Sequence, residues 1–425
     1  MAHTLAPMPE HGPRGPLFLH VGLPKSGTTF LQDMLRQHRR WLRREGLLYP
    51  FDGYRDHFYA ALDARGNHQF AGGIRPQAEG AWPRLVQRSL AFDGRVVISH
   101  EILATAKRGA ARRARTLLDE REVHVVVTAR DPGRQAVADW QEAIKHGRRV
   151  PFRGYVRRAG LGQAPPTNRD ADAPSARDFA AQRLLHVIDC WAGDLPPERV
   201  HIVTVPHSAA DPGLLWRRFG DLLGIADPGR LIPGGEVRKN PRLGVADIEF
   251  LRRVNRSLDR RLVADEFGAV AKKLYAQTIL PAVSRSEPPV LPDGLFDRAD
   301  EMAQEWIDGI KSAGYDVRGE LEDLRPRRAE GPWPGRWSRD DIIDTAAAAT
   351  AELLVEITQL RREVGRLERR QLNRRNVTRA LRNRTRRLVR RDKQHEEAPS
   401  GESGSGSGES ASGGMSGSGG SGASG

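Results

Sequence analysis

Short apolar runs alternate with amphipathic stretches along the first three quarters of the chain. Four runs are rich in β-branched residues, which predicts buried strands at residues 16–22, 95–99, 122–129 and 200–205. Apolar residues recur at helical spacing in the stretches between and after them, which predicts helices over 30–41, 133–145, 180–192, 211–223 and 245–255. Alternating strands and helices are typical of a parallel sheet covered on both faces, so the pattern predicts a doubly wound α/β fold.

Composition divides the 425 residues into five segments. The sequence predicts a loose leader at 1–15, an α/β domain at 16–325, a Pro/Trp-rich linker at 326–339, a helix at 340–393 and a disordered Gly/Ser tail at 394–425. No apolar stretch approaches the length of a membrane span, and the first residues lack the apolar core of a secretion signal. We therefore expect a cytoplasmic protein.

The net charge of +14 comes mostly from the C-terminal helix. Residues 361–393 contain fifteen Lys/Arg and three Asp/Glu, a composition suited to an anionic membrane surface or a nucleic acid. Within 348–368, apolar residues follow each other at spacings of four and three: Leu353, Ile357, Leu360, Val364 and Leu367. This seam favours either self-association as a short coiled coil or packing of a single helix on the body.

The strongest chemical signal follows the first predicted strand, where residues 22–29 read GLPKSGTT and a helix begins. Backbone N–H groups of such a turn, together with a helix N-terminus, form a positive site for phosphate oxygens. In a Walker loop the lysine directly follows the second glycine. Here Thr28 occupies that position, and Lys25 lies inside the loop. From there its ammonium can stabilise charge on a leaving phosphate, while Thr28 and Thr29 bond to phosphate oxygens.

At these residues the chain resembles the sulfotransferases that use 3′-phosphoadenosine 5′-phosphosulfate (PAPS). Their 5′-phosphosulfate loop reads P-K-[ST]-G-[ST]-[ST], and the chain matches it throughout, with Pro24, Lys25, Ser26, Gly27, Thr28 and Thr29. The resemblance implies a P-loop-type parallel sheet, PAPS as co-substrate and transfer of a sulfuryl group to a hydroxyl of a small molecule, lipid or carbohydrate. It also implies that Lys25 contacts the bridging oxygen and that the other loop residues surround the phosphate.

A second segment resembles the family's 3′-phosphate site, where a strand ends in arginine, then Asp/Asn-Pro. Here Arg130 follows the strand at 122–129, and the resemblance implies that its guanidinium binds the 3′ phosphate. The family commonly has a serine eight residues later, whereas this chain has Ala138, so one hydroxyl ligand is missing. Arg134 and Gln135 are candidates to replace it. The resemblance covers about residues 16–325; the family's K-G-x-x-G-D-W segment is absent, and the nearest basic patch contains Lys239.

Sulfuryl transfer needs a base for the proton of the acceptor hydroxyl. Glu101 is our first candidate, because it follows the strand at 95–99 at the sheet edge where open α/β sheets bind ligands. His57 is the second, since related carbohydrate sulfotransferases often place their base after the first helix. His100 is the third. Glu101 has a structural alternative, as a partner of Lys25 or a helix cap.

Other features bear on the acceptor and on rival functions. Trp140 and Glu142 follow the Arg130 segment, and a basic cluster at 145–149 either meets an anionic acceptor or is a solvated face. The histidines lack the i,i+4 pairing of a zinc site, and sulfuryl transfer does not require Mg²⁺, so we predict no metal. The rivals are an ATP-dependent P-loop kinase, and a degenerate nucleotide domain that acts as a scaffold through its basic helix.

Overall fold

The computed structural model describes residues 14–396, apart from 54, 71–72, 160, 162–182, 208–210, 212, 233–242 and 260. The chain forms two compact units, Met1–Leu354 and Val355–Gly425. The predicted leader and tail lie almost wholly outside the described residues, as does Lys239.

A six-stranded parallel sheet forms the centre of the first unit, which confirms the predicted fold class at the level of a parallel sheet flanked by helices. Its strands are β1 (Leu17–His20), β2 (Leu47–Leu48), β5 (Arg95–Ser99), β6 (Val123–Ala129), β7 (Val200–Thr204) and β8 (Asp316–Arg318), while β3 (Gln69–Phe70) and β4 (Gly73–Ile74) form a separate antiparallel pair. The order across the sheet is β2-β5-β1-β6-β7-β8.

Helices cover both faces of the sheet, which is why the central strands are apolar throughout. The helices of the first unit are α1 (Thr28–Arg44), α2 (Asp56–Ala64), α3 (Ala81–Leu90), α4 (Arg108–Thr116), α5 (Pro132–Lys145), α6 (Phe152–Ala159), α7 (Leu184–Ala192), α8 (Leu214–Leu222), α9 (Val245–Leu258), α10 (Ala264–Glu266), a π-helical stretch (Phe267–Ile279), α11 (Leu280–Val283) and α12 (Phe296–Ala313). A final helix, α13 (Arg339–Glu396), begins in the first unit and continues into the second.

Alternate residues of the strands enter different cores. Phe18, Val97 and Val126 pack with α1 and α8, whereas Leu17, Leu19 and their neighbours pack with α2, α3, α4, α7 and α12. A further cluster joins α5, α6, α9 and the π-helical stretch. It also includes Ala349 of α13.

The register brings three strand ends to one edge of the sheet. His20, the last residue of β1, pairs with Ser99 of β5 on one side and with Val126 of β6 on the other. The segments that leave β1, β5 and β6 therefore emerge side by side. They carry the loop 21–27, Glu101 and Arg130, respectively.

Residues 325–338 are irregular and contact the first unit. The Val290 N–H donates to the Pro332 carbonyl at 3.0 Å, and the Arg253 guanidinium lies 4.8 Å from the centre of the Trp337 ring. Ile342 and Ala349, on the first turns of α13, are buried. The first unit thus extends past the segment predicted as a linker.

The second unit consists, in its described part, of the remainder of α13. Its apolar seam is solvent-exposed, with Ile357, Leu360, Val364 and Leu367 between 39% and 55% exposed. Self-association through this seam stays a prediction. Among the described residues, no helix is long and apolar enough to cross a membrane.

Candidate functional site

The loop between β1 and α1 is a tight turn with three residues in the left-handed region. Gly22 has φ 53°, Lys25 φ 66° and Gly27 φ 83°. A Cβ on Gly22 would lie 2.5 Å from Thr28 Cγ2, and one on Gly27 would lie 2.4 Å from Leu215 Cδ2. Both glycines are therefore required by conformation and by space. Lys25 adopts a backbone conformation that is unfavourable for its type, which is common where a functional side chain must be aimed.

Ser26 closes the loop onto the sheet. Its hydroxyl donates to the Leu23 carbonyl at 2.5 Å, accepts from the Leu23 N–H at 3.2 Å and lies 2.6 Å from the Thr128 hydroxyl. The side chain is fully buried. Its hydroxyl thus serves the shape of the loop.

The side chain of His20 links the strand that precedes the loop to the two neighbouring strands. Its Nδ1 lies 2.8 Å from Ser99 Oγ, and its Nε2 lies 3.1 Å from Thr128 Oγ1, so the ring joins the ends of three adjacent strands. Burial lowers the pKa of His20 to about 3. The ring is therefore neutral, with one nitrogen donating and the other accepting.

Helix α1 begins directly after the loop. Gly27 is its N-cap, and within the described chain no side chain caps this end and no acidic residue lies in the first turn. Thr28 is buried and Thr29 is exposed. Free N–H groups at a helix N-terminus attract anions, so this end of α1 can bind phosphate or sulfate oxygens.

Lys25 belongs to a cluster of charges around Glu142 of α5. The Glu142 carboxylate lies 2.9 Å from Lys25 Nζ, 2.9 Å from Lys272 Nζ and 3.1 Å from His146 Nε2. Burial by itself raises the pKa of Glu142, but the hydrogen bond from His146 and the two lysines lower it far below its ordinary value. Burial also lowers the pKa of the nearby Lys145. One carboxylate is thus shared by two lysines and a histidine.

Arg130 and Gln135 reach the same loop from β6 and α5. Arg130 Nη1 donates to the Lys25 carbonyl at 3.5 Å, and Gln135 Nε2 donates to the Pro24 carbonyl at 3.3 Å. Gln135 Oε1 is buried and has no hydrogen-bond partner within the part of the chain described. The two predicted anion-binding segments, 105 residues apart in sequence, are therefore brought together.

Ala138 lies on α5 one turn beyond Arg134 and offers no hydroxyl. Of its two candidate replacements, Arg134 is engaged elsewhere: it pairs with Asp131, the N-cap of α5, and donates to the carbonyls of Val205 and Pro206 at 3.4 and 3.3 Å. Gln135 already contacts the loop. Of the two candidates, Gln135 is therefore the one that lies beside the loop.

Glu101 lies at the carboxyl end of β5, as expected for a residue of this sheet edge. Its Oε2 accepts from Gln32 Nε2 at 2.9 Å, and its side chain is 30% exposed. Burial raises the pKa of Glu101, but His100 and hydrogen bonds from Gln32 and Thr28 lower it on balance. Glu101 is therefore ionised at neutral pH and is linked to α1 through two side chains.

His57 and His100 have different surroundings from Glu101. His57 is buried, its Nε2 donates to the Pro50 carbonyl at 2.6 Å, and its Nδ1 accepts from the Ser99 N–H at 3.3 Å. Burial lowers its pKa to about 3. His100 Nδ1 accepts from the Ile102 N–H at 3.2 Å, and burial lowers its pKa as well. The polar atoms of His57 are thus committed to the fold.

A cleft of about 1550 Å³ opens beside the loop. It reaches the loop at Pro24 and the first turn of α1 at Thr29, and it extends to α9 and the π-helical stretch. The described residues contain no group of three or more His, Cys, Asp and Glu that could hold a metal ion.

Sequence reasoning did not single out His20, Thr128 or the pairing of Glu142 with Lys25. A signal for Glu142 was present, since it follows Gln135 by seven residues, two helical turns, and so shares its face of α5. The contacts of His20 and Thr128 depend on strand order, which no local pattern reports.

Comparison of the chain with models of known protein families, with curated proteins and with solved structures finds no match. A function for the chain therefore has to be inferred from the site itself.

Proposed function

We propose that the protein is a PAPS-dependent sulfotransferase, in which the β1–α1 loop is a P-loop-type site for the 5′-phosphosulfate and Arg130 binds the 3′ phosphate. The observation that carries the proposal is the 3.5 Å contact between Arg130 Nη1 and the Lys25 carbonyl. It unites two segments that each resemble a different half of one nucleotide site. PAPS carries phosphate groups at the 3′ and 5′ positions of one ribose, so it requires two such anion sites close together.

The chain's own residues supply the chemistry that the reaction needs. Glu101, ionised and partly exposed, accepts the proton of the acceptor hydroxyl as its oxygen attacks sulfur. The sulfur–oxygen bond to the nucleotide breaks on the opposite side, and the electron pair goes to the bridging oxygen. Lys25 and the first N–H groups of α1 stabilise the negative charge that develops there. His57 has no part in this scheme, because both of its ring nitrogens are hydrogen-bonded to backbone groups.

The contacts of Asp131 argue against the ATP-dependent kinase. A kinase of this type needs a carboxylate for Mg²⁺ at a strand end. Asp131 follows β6 at such a place, but it accepts from the Arg134 N–H at 2.9 Å and is paired with the Arg134 guanidinium. Its carboxylate is therefore already used to begin α5.

The test is calorimetric binding of adenosine 3′,5′-bisphosphate, the desulfated product, and of ATP with Mg²⁺. We expect micromolar affinity for the bisphosphate and a loss of about tenfold or more in Lys25→Ala, since one charge-assisted contact is removed. Lys311→Ala, an exposed lysine in the last turn of α12, is the matched control and should bind as the natural chain does.

Tighter binding of ATP than of the bisphosphate would favour the kinase. Binding of neither nucleotide would favour the scaffold, with the basic helix as its functional part.

A further inference from the structure

The cleft beside the loop is strongly basic. Among the residues that the structure describes, its walls contain eight Lys/Arg side chains and three aspartates. Asp33 and Asp265 are paired with cleft arginines, at 3.0 Å to Arg36 and 3.4 Å to Arg75. The excess positive charge therefore lies on the remaining basic side chains.

Four of these side chains have no carboxylate within 4.0 Å in the described part of the chain: Arg55, Arg65, Arg148 and Lys273. Arg65 is the clearest case. Its guanidinium donates to the Asn67 and Gln69 carbonyls and to the Thr105 hydroxyl, all of them uncharged. Burial lowers its pKa, with no anion to offset the cost. A cleft wall of this kind attracts negative charge from a ligand.

The size of the cleft leaves room for a second ligand beside the nucleotide. Pockets for single small molecules measure roughly 300–1,000 Å³, and this cleft measures about 1550 Å³. Phe58, Phe70 and Phe267 line it together with the arginines, so the walls combine aromatic and cationic side chains. Sugar rings that carry acidic groups present the complementary surface, with apolar ring faces and anions at the edge.

We propose that the acceptor is an anionic carbohydrate, bound in this cleft through its carboxylate, sulfate or phosphate groups. One of its hydroxyls would reach Glu101, whose hydrogen-bond partner Gln32 and neighbour His100 line the cleft. This inference rests on the proposed function. The cationic groups that line the cleft and are available to the sugar chain include Arg55, Arg148 and Lys273.

The structure disfavours an extended acidic peptide. Such a peptide commonly pairs with an exposed sheet edge, but the edge strands β2 and β8 have two and three residues. The density of charged side chains in the walls likewise disfavours a lipid chain.

The test measures binding to the full-length chain in the presence of saturating adenosine 3′,5′-bisphosphate. The probes are a hyaluronan hexasaccharide, which carries carboxylates, and chitohexaose, a neutral sugar of the same length. An acidic tyrosine-containing peptide and phosphatidylglycerol vesicles complete the set. We expect hyaluronan to bind in a salt-sensitive manner and chitohexaose to bind at least tenfold more weakly.

Substitutions of basic residues in the cleft test whether hyaluronan binds there. Arg148→Gln and Lys273→Gln should each weaken hyaluronan binding by about two- to fivefold, and the double variant by about tenfold. Arg112→Gln, an exposed arginine of α4 outside the cleft, should change nothing. Equal affinity for both sugars, tighter binding of the peptide or the vesicles, or hyaluronan binding that survives the double variant through the basic helix would each overturn the inference.

The bisphosphate separates this inference from the proposed function. If the bisphosphate binds and hyaluronan does not, the acceptor class is wrong and the sulfotransferase proposal stands. If hyaluronan binds in the cleft and the bisphosphate does not bind, the carbohydrate site stands and the sulfotransferase proposal is wrong.

Discussion

Lys25 Nζ and Glu142 Oε2 lie 2.9 Å apart, so an ammonium group of the β1–α1 loop is held by a carboxylate of α5. A phosphate or sulfate bound at the loop would share Lys25 with Glu142, and the two anions would repel each other. We therefore predict that Glu142→Gln raises the affinity for adenosine 3′,5′-bisphosphate by about two- to fivefold, the effect of a partly exposed charge pair. Calorimetric titration measures it.

Glu45→Gln is the control for a change in net charge, since Glu45 ends α1 at the opposite end from the loop. Lower affinity in Glu142→Gln would mean that Glu142 positions Lys25 for the ligand instead of competing with it.

The identity of the base predicts a pH profile. The pKa of Glu101 lies below its ordinary value of 4.5, so kcat should fall only below about pH 4.5 if Glu101 takes the proton. Glu101→Gln should lower kcat by about 10²- to 10⁴-fold, with little change in bisphosphate affinity. His57→Gln should retain the profile of the natural chain. An acid limb near pH 6.5 that disappears in His57→Gln would reassign the base.

Two buried histidines predict how stability depends on pH. The pKa values of His20 and His57 are about 3 in the folded protein, against an ordinary 6.5. Between these values the unfolded chain binds more protons, so the free energy of unfolding must decrease as the pH falls below 6.5. From pH 7.5 to 5.5 the two residues together should remove about 2–3 kcal/mol.

Urea denaturation at the two pH values measures the loss. His57→Gln should reduce the pH-dependent part by about half of that amount, whatever its own stability at pH 7.5. An unchanged pH dependence in this variant would show that His57 does not remain neutral in the fold.

The sequence predicted the parts of the fold that depend on local pattern. The strands β1, β5, β6 and β7 and helix α5 lie where apolar runs and helical spacing indicated them. The strands β2 and β8, of two and three residues, were missed because a pattern of alternation needs more residues to be recognised. The proximity of Arg130 to the loop could also be predicted, because the carboxyl ends of parallel strands lie at the same edge of a sheet.

The contacts that depend on tertiary packing were not predicted. His57 follows α1 as a candidate base should, yet packing against Tyr49 and the Ser99 backbone makes it part of the fold. The pairing of Lys25 with Glu142 requires the angle at which α5 leaves β6, which residue spacing does not encode. The charge of the cleft is spread over loops and helices distant in sequence, so composition alone did not reveal it.

The boundary between the two units predicts where the chain can be shortened. A stop after Leu354 keeps Ile342 and Ala349, which are buried in the first unit, whereas a stop after residue 339 removes both. The chain 1–354 should bind adenosine 3′,5′-bisphosphate within about twofold of the full chain, since no site residue is lost. A loss of nucleotide affinity, measured by calorimetry on a variant with unchanged circular dichroism, would mean that the basic helix takes part in the site.

If the site binds PAPS, Arg130 binds the 3′ phosphate and the β1–α1 loop binds the 5′ phosphate of the same nucleotide. The most direct test of this claim is calorimetric titration of adenosine 3′,5′-bisphosphate and of adenosine 5′-monophosphate into the natural chain, Arg130→Ala and the control Arg112→Ala. We expect the natural chain and the control to bind the bisphosphate at least about tenfold more tightly than the monophosphate. Arg130→Ala should lose this preference but keep its affinity for the monophosphate. Equal affinities in the natural chain, or a preference that survives in Arg130→Ala, would contradict it.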